Sequence, residues 1–336
     1  MSECLVEVSR GSIVESLHRG NIAIVAADGQ LKWQVGDATS VTFIRSAAKP
    51  LQTLPLIESG AADYFQMTDE EIALSCASHN GETFHSSLVE AFLKRIGVPV
   101  SALRCGIHPP FHTAAYESLL RQGLDITTLQ NNCSGKHAGM LALAKYLDAD
   151  LEDYLNPNHP VQVAIIKSVQ EVCEVSSTEL HIAVDGCGVP VFGLPLNRMA
   201  LAYAKYAAAV KAGDSALARI ARAMMSHPDL VGGTNRFCTK LMSVTPQKII
   251  AKTGAEGVYC VGLVEEGLGI ALKVEDGNAR ATYPAIVECL SQMGVLNAQQ
   301  ISTLESFHRP ELRNHQGTLV GQLTPVFHLE QVNANH

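Results

Sequence analysis

From Cys4 to Val41 β-branched residues alternate with polar ones, and the run is broken by Arg10-Gly11, Arg19-Gly20 and Asp28-Gly29. A period of two with glycine punctuation predicts a meander of antiparallel strands. The period changes inside Ser46-Ala47-Ala48-Lys49-Pro50-Leu51-Gln52. There Pro50 suits a first helical turn, and Leu51, Leu54 and Ile57 fall on one face. Apolar residues at three- and four-residue spacing predict further helices at Glu70–Cys76, His85–Ile96, Lys136–Leu147, Pro160–Cys173, Asn197–Ala212 and Ser215–Ser226. Short apolar runs at Lys248–Lys252, Gly257–Leu263 and Leu268–Val274 then read as returning strands. A helix over Pro284–Met293 and a last strand around Gly317–Leu323 complete the pattern.

Strands at both ends with helices between them predict an α/β chain of the α+β kind. Its antiparallel sheet is built from the N- and C-terminal strands, with flanking helices. The expected organisation is one catalytic unit over residues 1–336, strand-rich at about 1–45 and 245–330 and mostly helical over about 46–244. Neither an internal repeat nor a low-complexity tract competes with this layout.

Composition narrows the class. Hydrophobic residues make up 47% and charged residues 17% of the 336, which is the balance of an ordinary globular protein. The formal charge is −8 with scattered Lys and Arg, so a nucleic-acid partner is not expected. No run of eighteen apolar residues is free of charge, and the N-terminus has neither a basic nor a long apolar segment. The expectation is a cytoplasmic protein with no membrane partner. The nine cysteines are an odd set without paired spacing, which argues against a disulfide framework.

Ser46-x-x-Lys49 places a hydroxyl and an amine one helical turn apart, so a neutral lysine is positioned to take the serine's proton during attack on a carbonyl. By itself the spacing is common and equally describes a solvated helix start. Two more elements follow in the chain. Ser78-His79-Asn80 resembles the S-D-N element of serine β-lactamases and penicillin-binding proteins, with histidine in place of aspartate, and Lys252-Thr253-Gly254 matches their K-T-G on an expected strand. In acyl transfer Ser46 attacks, Lys49 is the base, and Ser78 poised against Lys252 relays a proton to the leaving nitrogen. Backbone N–H groups at Ser46 and near Thr253-Gly254 receive the developing oxyanion. Arg45 has the fork geometry for a small carboxylate, or for a surface ion pair. Asp185, beside glycines at a strand end, suits a substrate ammonium. Cys133, Lys136 and Cys187 lack a CxxC pair, and residue types alone favour packed cysteines over zinc.

FIRSAAKPLQ, SCASHNGE, NNCSGKHAGML, VDGCGVPVFGLPL and AKTGAEGVYCVG, spread over nearly the whole chain, resemble the motifs of the rhizobial type of the L-asparaginase II family. The resemblance implies a fold like that of the serine β-lactamases and penicillin-binding proteins, a homodimer, and hydrolysis of L-asparagine to L-aspartate and ammonia. It makes Ser46 with Lys49 and Ser78 with Lys252 two serine-lysine tandems. Asn80, Thr253 and Gly254 then join Arg45 and Asp185 around the substrate. It also maps Cys133, Lys136 and Cys187 onto a zinc site, with Asp185 touching substrate near the metal. Two alternatives stay open: a β-lactamase or peptidase-like serine hydrolase, and a non-catalytic amino-acid or zinc-binding protein.

Overall fold

The structure, a computed structural model, describes residues 1–332; the last four positions of the expected 1–336 unit lie outside the described residues. The chain divides into two compact units. The first is built from Met1–Ala47, Leu194–Ala208 and the residues from Lys240 on, and the second from Ala48–Gly193 and Ala209–Thr239.

The first unit holds an antiparallel sheet. Its strands are β1 (Glu3–Arg10), β2 (Ile13–Ala26), β3 (Leu31–Val35), β7 (Ile249–Thr253), β8 (Val258–Leu263), β9 (Leu268–Val274), β10 (Glu311–Arg313), β11 (Leu319–Pro325) and β12 (Glu330–Gln331). Short strand β4 (Val41–Phe43) precedes Ile44. The order β10-β11-β1-β2-β9-β8-β7, with β3 joining β2 to β12, brings N- and C-terminal strands together as the alternation predicts. Gly11, at φ +55°, turns β1 into β2.

Arg19-Gly20 is not a turn. Gly20 lies inside β2, paired to Glu3 on one side and Val274 on the other. A Cβ there would lie 2.3 Å from Lys273 O, so the glycine serves strand approach rather than chain reversal.

Every residue of β8 is buried, and β7 and β9 nearly so. These strands read as continuous apolar runs because both faces are covered. Helix Ala279–Gln292 packs against β8, β9, β1 and β11. On the other face the helix beginning at Leu196 comes so near that a Cβ on Gly269 would lie 1.9 Å from Ala200 O, and one on Gly262 2.7 Å from Tyr203 O. The helix expected at Pro284–Met293 starts earlier, because Asn278 caps it by accepting from Arg280 N at 3.1 Å, and Pro284 sits inside it.

The second unit is mainly helical, with helices at Lys49–Glu58, Asp69–Ser75, Thr83–Arg95, Thr113–Arg121, Ser134–Tyr146, Pro160–Cys173 and Ala216–Ser226. Helix Ser134–Tyr146 is buried from Ser134 to Ala144. Its Gly135 allows helix Asp69–Ser75 to approach, since a Cβ would meet Leu74 O at 2.3 Å. The middle of the chain also contains a hairpin not expected from the sequence, β5 (His181–Val184) with β6 (Pro190–Pro195), registered from His181 opposite Gly193 to Val184 opposite Pro190. Among the described residues no helix is long and apolar enough to cross a membrane.

Candidate active site

Ser46 lies half-buried in a single 3-10 turn, Arg45–Ala48, which runs directly into helix Lys49–Glu58. Arg45 is held at φ 52°, a conformation that L-residues other than glycine adopt rarely. The turn is pinned by Ala47 N donating to Ile44 O at 3.2 Å and by the Tyr203 hydroxyl donating to Ala47 O at 2.8 Å. The K-T-G strand end of β7 reaches the same place. A Cβ on Gly254 would meet Ile44 O at 2.9 Å and Val258 Cβ at 2.9 Å, so only glycine lets this strand end lie against the residue two before Ser46. Lys252 is fully buried, and its Nζ donates to Thr253 O at 2.9 Å. Half-buried Thr253 donates its hydroxyl to Gly254 O at 3.2 Å.

In the second unit Lys49 is 1% exposed. Its Nζ donates to Ala77 O at 2.5 Å, Ser78 Oγ at 2.9 Å and Asn132 O at 3.3 Å. Lys49 and Ser78 therefore meet directly, so a lysine three residues after one candidate serine also touches the other. Buried Asn80 donates through Nδ2 to Thr234 O at 2.9 Å, which ties the Ser78 segment to the loop after Val231. Ser78 N itself donates to Val231 O at 3.0 Å.

Cys133, Lys136 and Cys187 converge. Cys133 stands at the start of helix Ser134–Tyr146, Lys136 is in its first turn, and Cys187 is in the turn of the β5–β6 hairpin. Lys136 Nζ donates to Cys187 Sγ at 2.8 Å, and all three side chains are buried. The hydrogen bond from Cys187 lowers the Cys133 thiol well below its ordinary pKa, with Lys49 and Lys136 adding to this against the opposing effect of burial. The same hydrogen bond, together with burial, pushes Cys187 up. Burial works against the Lys136 ammonium, but Cys187, Cys133 and Asp185 outweigh it and raise its pKa.

Two soft sulfurs, one of them acidified, beside a buried amine suit the donor chemistry of zinc, with the amine binding once it is neutral. Among the described residues no three of His, Cys, Asp and Glu gather as a metal site, so zinc here would need the Lys136 amine as a ligand. Asp185 opens the hairpin turn, donating its N–H to Val189 O at 2.9 Å and accepting at its carbonyl from Gly188 N at 2.9 Å. It is half-exposed, and its charge bears on Lys136.

No motif singles out several supporting groups. Tyr203 braces the Ser46 turn. Glu82 accepts from Thr234 N at 2.9 Å beside Asn80. Tyr154 shares its hydroxyl with His137 Nδ1 at 2.7 Å and Arg104 N at 2.9 Å, behind the cysteine cluster. Tyr203 and Tyr154 lie far along the chain from what they support, and Glu82, only two residues from Asn80, reaches across to Thr234.

The L-asparaginase II family model matches residues 6–325. The chain belongs to the L-asparaginase II family. A search of curated protein sequences finds no match. Among solved structures the chain is similar to Mglu in its native form in 4.3 M NaCl, with 16% identity, a TM-score of 0.39, and coverage of 83% of this chain and 62% of that one. It is likewise similar to Mglu in its L-glutamate binding form in 4.3 M NaCl, with 16% identity, a TM-score of 0.40, and 83% and 61% covered. The chain thus spans somewhat less than two thirds of the length of these structures.

Proposed function

We propose that this L-asparaginase II family chain hydrolyses L-asparagine to L-aspartate and ammonia through an acyl-enzyme on Ser46, with Lys49 as base. The observation that carries the reading is Lys49. It is 1% exposed, its Nζ donates to two carbonyls and the Ser78 hydroxyl, and it also bears on the Cys133 thiol. A buried amine in hydrogen-bond contact with a serine hydroxyl is placed to exchange a proton with it.

In the proposed sequence Lys49 removes the Ser46 proton as Oγ attacks the amide carbon, and backbone N–H groups at Ser46 and near Thr253-Gly254 receive the oxyanion. Ser78, with Lys252 as its partner in the second tandem, passes a proton to the departing nitrogen, and ammonia leaves. Water then attacks the ester and releases aspartate. The strained Arg45 keeps the serine at the head of its turn and offers its guanidinium to the substrate carboxylate. Asn80 completes the amide contacts, and Asp185 takes the ammonium.

Cys133, Lys136 and Cys187 would hold zinc, which when bound supplies a fixed positive charge that organises recognition beside Asp185. We place the reaction in one catalytic unit of a cytoplasmic homodimer.

The test is a substrate panel of L-asparagine, L-glutamine and a chromogenic cephalosporin, read by ammonia release and ring opening. Ammonia from asparagine with the cephalosporin spared is the expected result. Ring opening without ammonia release would replace this reading by the β-lactamase-like one.

A further inference from the structure

Within Ser78-His79-Asn80, the proposed chemistry uses the serine and the asparagine and leaves the histidine unassigned. The His79 ring is 0% exposed. Gly81 N donates to His79 Nδ1 at 3.0 Å, and because an amide N–H only donates, Nδ1 must carry the lone pair and Nε2 the ring proton. His79 Nε2 lies 2.9 Å from Ser134 Oγ, and Ser134 Oγ donates onward to Leu129 O at 3.0 Å. Every proton in this series therefore has a settled direction: Gly81 to His79, His79 to Ser134, Ser134 to Leu129. A second ring proton would face the Gly81 N–H with no acceptor.

The groups that bear on the ring agree with one neutral form. His85 stacks on it with centroids 4.7 Å apart and planes 14° from parallel, and burial, His85, Lys49 and His108 hold its pKa well below the ordinary histidine value.

The backbone around the ring is tied to the same place. His79 N donates to Asn132 O at 3.3 Å, and that carbonyl also accepts from Lys49 Nζ at 3.3 Å. Gly81 has φ +73°, and a Cβ there would meet Gln130 O at 2.7 Å and Pro110 Cα at 3.1 Å. The Ser78 segment is thus clamped to residues 129–134 through the ring and through the main chain, while Lys49 reaches both sides of the clamp.

We propose that His79 is a positioning residue: as a single-tautomer imidazole bridging Gly81 and Ser134, it holds Ser78 Oγ against Lys49 Nζ. The proposal rests on the reading of Ser78 and Lys49 as the proton-handling pair. It does not make His79 an acid or a base.

Three kinetic readouts test it. His79→Ala is expected to lower kcat on L-asparagine about 100-fold with KM within about threefold, the cost of a misplacement of ~1 Å. His79→Gln, which keeps a donor toward Ser134, recovers at least about tenfold of that loss. In a Ser78→Ala background His79→Ala costs less than about threefold, because its effect runs through the missing hydroxyl. An undiminished loss in that background, or a loss confined to KM, overturns the proposal.

Two readouts do not need turnover. Long-range ¹⁵N NMR of the unaltered protein should show His79 with the proton on Nε2 at every pH from about 5 to 8. A crystal structure of His79→Ala should show Ser78 Oγ displaced from Lys49. A ring that titrates in that range, or a Ser78 that has not moved, overturns the proposal. Should the parent protein release ammonia from no amide, the proposed function falls, and these two results decide the role of His79 on their own.

Discussion

Replacing Lys49 by methionine removes the proposed base while keeping an unbranched side chain in its buried slot. The structural loss is three hydrogen bonds, to Ala77 O, Ser78 Oγ and Asn132 O. Hydrogen bonds contribute about 0.5–1.5 kcal/mol each net, so their removal alone would cost about 2–5 kcal/mol. Against this stands the desolvation of an amine that is 1% exposed, which the substitution relieves, at about 1–3 kcal/mol. The net destabilisation should stay below about 3 kcal/mol, a Tm decrease of under about 10 °C for a chain of this size. Activity should respond quite differently. Loss of a general base lowers kcat by about 10²–10⁴, or roughly 3–5 kcal/mol of transition-state stabilisation. Coupled ammonia release on L-asparagine, run beside calorimetry of the same samples, separates the two effects. A well-folded Lys49→Met protein with kcat within tenfold of the parent would refute the assignment of the base.

Ser46→Ala should retain asparagine binding by isothermal titration while hydrolysis is lost; hydrolysis at the parent rate would remove Ser46 from the mechanism. Elemental analysis of the parent and of Cys133→Ser should show zinc in the first and a marked loss in the second, with equal metal in both counting against the ligand set. His79 and His137 are held well below the usual histidine pKa, and His85 is lowered to about 4, in each case chiefly by burial. Their folded values lie below the unfolded one, so the stability they contribute is complete above about pH 6.5 and is lost as pH falls toward the folded values. Unfolding should therefore take up protons as pH falls below about 6.5, and stability read by denaturant titration should decline with it; flat stability between pH 6.5 and 5 would contradict their neutral burial. Gly269→Val would drive a side chain into Ala200 O, 1.9 Å from the Cβ position, and should destabilise by about 3 kcal/mol or more in a denaturant titration.

Much of the fold was legible because the signals were local. The helix at Pro160–Cys173 matches its expected bounds, and the returning strands lie within a residue or two of theirs. The departures arise where a residue serves a distant partner. Gly20 looks like turn punctuation but is required by Lys273 across the sheet. The β5 strand has all four residues exposed, so it carries no alternation that a period of two would reveal. Helix Thr113–Arg121, which buries no residue, was not expected from the sequence.

For the candidate site the motifs marked segments but not how they meet. The Lys49–Ser78 contact, the approach of Gly254 to Ile44 and the convergence of Cys187 on Lys136 all join positions at least 28 residues apart in sequence. The resemblance placed the two cysteines and Lys136 in one set, and the hydrogen bond between Lys136 and Cys187 gives that grouping a physical basis.

The central claim is that an acyl group passes through Ser46. Mixing the protein with L-asparagine, quenching in acid within the first turnovers and mapping the adduct by peptide mass spectrometry tests it most directly. The account predicts an aspartyl ester on the peptide containing Ser46, absent from Ser46→Ala and accumulating when the deacylating water is made limiting. An ester on Ser78 instead, or steady ammonia release with no adduct at either serine, would contradict it.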